Sequence, residues 1–220
     1  MLRVSHFTNG LLIANLLIVS SACPAANADS VSSTTVRLYS DVQLSTKALV
    51  QAQQEAVRIF RQAGVETVWV QCKPSPSPAD RRCQIPPSEK FLVMRIVSKA
   101  LTSAESIFGM AFLSEGRGTY SDLFYDSVEK LHQECGASVP RVLGHVMAHE
   151  LGHLLLGSNA HVEIGIMRPR WHGEQLRAVE RGTLFFTPEQ ARLMQYRLST
   201  AKTRTADNAV KAGLAVLTGI

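Results

Sequence analysis

The chain has 220 residues, 45% hydrophobic, 19% charged and 6% aromatic, with 14 Gly and 9 Pro. This excludes collagen-like, low-complexity and strongly disordered classes and leaves enough apolar side chain for one folded domain. The formal net charge of +5 is a mild excess, and the basic residues are scattered or paired (Arg81 with Arg82, Arg168 with Arg170) rather than gathered among aromatics, so nucleic acid is not an expected partner.

Residues 1–28 read as a signal peptide: Arg3 comes early, an apolar run from Leu11 to Val19 is broken only by Asn15, and Ala26-Asn27-Ala28 supplies an A-x-A cleavage pattern. The apolar run is about half of the roughly 20 residues that a membrane-spanning helix needs. The mature chain is therefore expected to be secreted or periplasmic, with no stable membrane span. A lipid-modified Cys23 or an uncleaved anchor are the alternatives, and Ser20 stands where a bacterial lipoprotein signal usually has Leu.

A domain is expected over 29–200. Thr34 to Tyr39 alternates and is β-branched, predicting a first strand. Leu49, Ala52, Ala56, Ile59, Phe60 and Ala63 recur at helical steps, predicting an amphipathic helix from Ser45 to Ala63 that Gly64 stops. Val65 to Val70 and Phe91 to Val97 read as strands on either side of a Pro- and Ser-rich excursion, KPSPSPADRR, that is expected to be neither helix nor central strand. Gly109 to Leu113 and Thr119 to Tyr125 read as two more strands joined by SEGRG, whose glycines suit a turn. The longest apolar helical run extends from Pro140 to Leu156, with Ser138 as N-cap and Gly157 at its end. A last helix starts at Thr187-Pro188-Glu189-Gln190, a capping box with Pro at the first helical position, and is expected to reach Leu198. The 201–220 tail has no strong period and is expected to be frayed or disordered.

Of the cysteines beyond the leader, Cys72 and Cys83 flank the Pro-rich stretch and are the expected disulfide in an oxidising compartment. Cys135 is left over, either packed as a small apolar residue or paired elsewhere.

Inside the longest helical run stands His149-Glu150-Leu151-Gly152-His153. One helical turn separates the two histidines, so their rings leave the same face and can converge on one ion, a zinc half-site. Glu150, next in sequence, can stay off the ion and hold the attacking water, which makes it the candidate base. A catalytic zinc generally has three protein ligands. His161 is the first choice for the third, because the chain can reverse at Gly157. His172 and Glu163 stand in reserve, and Glu174 or Glu180 would give a two-His-one-Glu set. His145 lies about 12 Å along the helix axis from His153, too far to share one ion with it, and reads as a packed neighbour.

His149, Glu150, His153, Gly157 and His161, followed by Gly165-Ile166-Met167, resemble the metzincin zinc metallopeptidases, which share an extended zinc motif and a methionine-containing turn beneath the metal. The spacing is longer than the family's H-E-x-x-H-x-x-G-x-x-H by one residue on each side of the glycine, Asn159 occupies the usual third-ligand position, and Pro169 stands where some members have Tyr. The resemblance implies an α+β fold with a twisted mixed sheet of about five strands, a first helix, the zinc helix and a C-terminal helix. It implies Zn2+ as cofactor, Met167 as the turn methionine, Gly109 to Ser114 as an edge strand along the cleft, and peptide or protein substrates. The expected activity is peptide-bond hydrolysis by a monomer with Glu150 as general base. A secreted zinc-binding protein without peptidase activity, or a disulfide-stabilised binding module, are the competing readings. Trp171 and the pair Phe185-Phe186 could line the specificity pocket or pack in the core.

Overall fold

A computed structural model describes residues 32–73, 80–99 and 108–201. The expected signal peptide with Cys23, and the tail past 201, lie outside the described residues.

The first strand, β1 (Ser32–Ser40), leads into α1 (Thr46–Gln62), where the Ser45 side chain accepts the Ala48 N–H as N-cap. The predicted stripe is the buried face of that helix, with Leu49, Ala52, Ala56, Ile59 and Phe60 inside. β2 (Val65–Gln71) pairs parallel with one side of β1, and β3 (Phe91–Val97) pairs parallel with the other. β4 (Gly109–Ser114) and β5 (Arg117–Phe124) form an antiparallel hairpin whose turn residues, Glu115 and Gly116, both have positive φ (50° and 70°), as a two-residue primed turn requires. β5 also pairs parallel with β3, so the sheet order is β2-β1-β3-β5-β4 and β4 is an antiparallel edge. The α+β architecture with a five-stranded mixed sheet is the one expected.

Three helices follow the hairpin, α3 (Tyr125–Cys135), α4 (Val139–Leu156) and α5 (Glu174–Arg181), and residues 188–201 form a further helix, α6. Several expectations are corrected here. Tyr125 begins α3 rather than ending β5, and neither α3 nor α5 is among the expected elements; the N-cap of α3 is Phe124, which offers no side-chain cap, and that of α5 is Gly173, so neither carries a start signal. Arg81 and Arg82, read as part of a non-helical excursion, open a single helical turn, α2 (Arg81–Gln84), once the prolines are past. Ser138 is the N-cap of α4 but makes no side-chain hydrogen bond there. α6 runs beyond Leu198 to include Ala201, which is buried and so is not part of a frayed tail.

The core lies where one face of the sheet (Val36, Leu38, Leu92, Met94, Ile96 and Leu123) meets α1 and α4. α4 is buried on nearly every side, which is why its sequence is apolar all round rather than striped. It crosses α1 at Gly144, where an added Cβ would stand 2.7 Å from the Ala52 carbonyl oxygen. The few polar side chains on such a helix must be satisfied or functional, and four of them, His145, His149, Glu150 and His153, are buried. Among the described residues no helix is long and apolar enough to cross a membrane.

Cys72 and Cys83 are joined as a disulfide, eleven residues apart. Their loop is fastened to the sheet by the buried Arg37, whose Nη1 donates to the Cys83 carbonyl at 2.8 Å. Cys135 is free, half-buried and packed against the core. Replacing both bridged cysteines with Ser should cost about 3 kcal/mol in the chain-entropy model and lower Tm by roughly 5–10 °C, measured by calorimetry of the oxidised protein against the variant.

Candidate metal centre

The site grows from the C-terminal half of α4. His149 and His153 are both buried, and each presents Nδ1 to a main-chain carbonyl further along the chain: His149 to Ile166 at 2.7 Å and His153 to Ser158 at 2.8 Å. A carbonyl only accepts, so each Nδ1 carries the proton and each Nε2 is left with a bare lone pair. Those two Nε2 atoms face each other at 3.1 Å. In these tautomers they cannot hydrogen-bond to one another, and two lone pairs that close repel unless a cation lies between them. Two ligands of a tetrahedral zinc with Zn–N of about 2.0–2.1 Å stand roughly 3.3 Å apart, so the separation already fits the ion.

His161 completes the cluster. The donor atoms of His149, His153 and His161 all lie within 4.8 Å of one another, and the His161 ring centre is 5.4 Å from that of His149 and 4.9 Å from that of His153. The longer spacing is absorbed in the turn after the helix. Gly157 takes a left-handed conformation (φ 65°), and the Ser158 N–H closes back onto the His153 carbonyl at 3.2 Å. The Ser158 Oγ then accepts the Ala160 N–H at 3.0 Å, and Asn159 Nδ2 donates to the Ala111 carbonyl of β4 at 3.3 Å. Asn159 therefore ties the loop to the edge strand, and His161 reaches the other two rings. His172, Glu163, Glu174 and Glu180 are not brought into this cluster.

Burial keeps the imidazoles neutral, the form that binds a metal. It pushes His149 down to about 3, helped by repulsion from His153, and His153 down to about 4; it also lowers His161, which is the exposed member. Three neutral imidazoles converging beside an open cleft suit zinc.

Glu150 is 2% exposed, with Oε1 4.0 Å from His149 Nε2. Burial alone pushes its carboxyl up to about 8; a cation in the imidazole cluster acts in the opposite direction and favours the carboxylate. Gly109 of β4 packs directly on it, since an added Cβ would stand 2.6 Å from Glu150 Cδ. Beneath the helix lies Met167, fully buried. Gly152 admits it: a Cβ there would be 2.7 Å from Met167 Sδ and 2.8 Å from Phe186 Cε1. Trp171, 2% exposed, donates Nε1–H at 3.1 Å to the same Ile166 carbonyl that receives His149, and Phe108 packs against both, its ring centre 4.4 Å from Trp171 and 4.9 Å from His149. Trp171 and Phe186 thus support the site from the core and do not line the cleft. The two carbonyl acceptors and the Asn159 tether carried no side-chain signal that a reading of the sequence could use.

His145 is fully buried, one turn before His149, with Nδ1 on the Arg141 carbonyl at 2.9 Å, Glu55 Oε1 at 3.6 Å and no hydrogen-bond partner for Nε2. It stands outside the ligand cluster, as expected. Burial lowers its pKa to about 4. Because the folded value lies below the unfolded one, the unfolded chain binds more protons between pH 6.5 and 4, and stability is lost as pH falls through that window. Unfolding of the chelated protein in urea should show a loss on the order of 2 kcal/mol from this residue between pH 7 and pH 5, and His145→Gln should flatten the pH dependence there.

A cleft of about 400 Å³ opens over these groups, lined by Phe108 and by Gly109 to Ala111 of the edge strand, by His149, Glu150, His153, Asn159 and His161, and by Pro169 and Arg170. A buried helix that supplies two imidazoles and a following loop that supplies a third, set against the free edge of a mixed sheet, form a site that could hold a metal ion. No family model and no curated protein matches the chain. Among solved structures it is similar to a zinc-dependent peptidase from Methanocorpusculum labreanum (14% identity, 72% of this chain and 99% of that one, TM-score 0.49). It is also similar to an archaemetzincin from Methanopyrus kandleri (18%, 76% and 97%, 0.44) and to metalloproteinase-II from Bacteroides fragilis (13%, 79% and 55%, 0.49).

Proposed function

We propose that this chain is a secreted zinc-dependent metalloendopeptidase. The observation that carries the reading is the pair of bare Nε2 atoms 3.1 Å apart, fixed in that tautomer by carbonyls on the far side of each ring. His149, His153 and His161 hold the metal, which when bound supplies a Lewis acid able to lower the pKa of water and polarise a carbonyl. Glu150 takes the proton of the attacking water on its carboxylate and passes it to the leaving amine. An extended peptide pairs with the free edge of β4, main chain to main chain, alongside the Asn159 tether on the Ala111 carbonyl. Met110 and Phe112, exposed on the same strand, meet its side chains. The Cys72–Cys83 disulfide and the leader over residues 1–28 support export to an oxidising compartment, and the chain acts as a monomer.

Metal analysis of the purified mature chain, followed by digestion of a mixed peptide library with and without chelator, tests this. One zinc per chain and chelator-sensitive cleavage at internal bonds are expected. Bound zinc with no cleavage would instead support a zinc-stabilised binding protein.

A further inference from the structure

We propose that Arg170 makes this cleft selective for a carboxylate in the peptide it receives, an inference that rests on the peptidase reading of the imidazole cluster. Among the described residues two ionic side chains apart from the histidines line the cleft, Glu150 and Arg170. Glu150 is buried against His149 and is committed to the water. The wall from Phe108 to Ala111 is uncharged. Apart from a metal on the imidazole cluster, the charge that the described residues offer an arriving peptide is therefore that of Arg170.

Its position is set from both sides. Pro169 fixes the backbone before it, and Trp171 after it is buried and anchored to the Ile166 carbonyl that also orients His149. The stem of Arg170 thus begins at a defined place relative to the metal ligands, while its side chain is exposed. Other arginines are engaged: Arg58 with Glu55, Arg95 with Asp41, Arg141 with the Glu180 carbonyl and Arg197 with the Gly116 carbonyl. Among the described residues nothing takes the guanidinium of Arg170. A guanidinium presents parallel N–H donors matched to a carboxylate. The carboxylate can be an acidic side chain near the cleaved bond or the free C-terminus of a short peptide.

Three peptides of one parent sequence separate these sources: neutral and amidated, neutral with a free C-terminal carboxylate, and amidated with Glu placed in turn at each position around the cleaved bond. Wild type should favour one of the two carboxylate forms by roughly tenfold in kcat/KM. Arg170→Gln should collapse that ratio, and Arg170→Glu should turn it in favour of a Lys-containing peptide. Calorimetric binding of the same peptides to the Glu150→Gln protein, with and without Arg170→Gln, reads the preference without turnover. Equal rates for all three peptides, or a ratio that Arg170→Gln leaves in place, overturns the assignment. Preferential binding that depends on Arg170 but leads to no cleavage by the Glu150-containing protein upholds Arg170 and overturns the peptidase reading.

Discussion

The Glu150→Gln protein should keep one zinc per chain and lose peptide hydrolysis by about two to four orders of magnitude. The residue is 2% exposed, so the replacement has to fit a tight space, and the carboxamide has the carboxylate's shape. It cannot accept a proton. Metal binding should survive because the three imidazole donors are elsewhere. Folding should survive as well: burial already pushes the Glu150 carboxyl up to about 8 in the metal-free protein, so a neutral group at this position is not a new burden near pH 7. Unfolding of the chelated variant at pH 7 should therefore occur at the wild-type temperature or above it. Single-turnover hydrolysis of a fluorogenic peptide at matched zinc content reads the loss. Hydrolysis retained at the wild-type rate with zinc in place would remove Glu150 as the base.

What the sequence makes legible follows from where the information sits. α1 announces itself because one face is apolar and the other charged, and Ser45 and Gly64 mark its ends. α4 announces itself through length and the absence of breakers, and the one-turn spacing of His149 and His153 then places two imidazoles together with no tertiary knowledge. α3 and α5 are silent for a different reason. Val128 and Leu131 are the buried residues of α3, and Val179 is that of α5, so their apolar signal is short, and neither start has a capping side chain. The strand order is not legible either, since β3 sits beside β1 across a long excursion, and nothing in its sequence says which side it takes.

The third imidazole shows the same division at the level of one loop. His161 is readable as a residue type downstream of a helix-ending glycine. What brings it back is not readable: the Ser158 carbonyl turned onto His153, the Asn159 amide on Ala111 and the Val162 N–H on the Met167 carbonyl at 3.1 Å. All three end on main-chain oxygens, whose direction depends on φ and ψ rather than on side-chain identity. A helix lengthened by one residue leaves at a different angle, and this turn is the device that corrects it.

Removal of a ligand should separate the imidazoles by how firmly each is held. His153→Ala should weaken zinc binding by roughly a few hundredfold or more, since a structural zinc bound with about 10–16 kcal/mol by four donors gives roughly 3–4 kcal/mol to each. The loss should be larger than for His161→Ala. His153 is buried and already oriented by the Ser158 carbonyl, so little entropy is lost when it binds, whereas His161 is exposed and ordered only through its loop. Competition titration with a chromophoric chelator measures the affinities directly. Thermal unfolding provides the linked measurement: zinc at 100 times Kd stabilises the folded protein by about 2.7 kcal/mol, so a Tm rise on adding zinc should be present in wild type, smaller in His161→Ala and absent in His153→Ala at the same concentration. Equal affinities for all three proteins would mean that the metal is held elsewhere, and the hydrolytic role assigned to this cleft would fall with it.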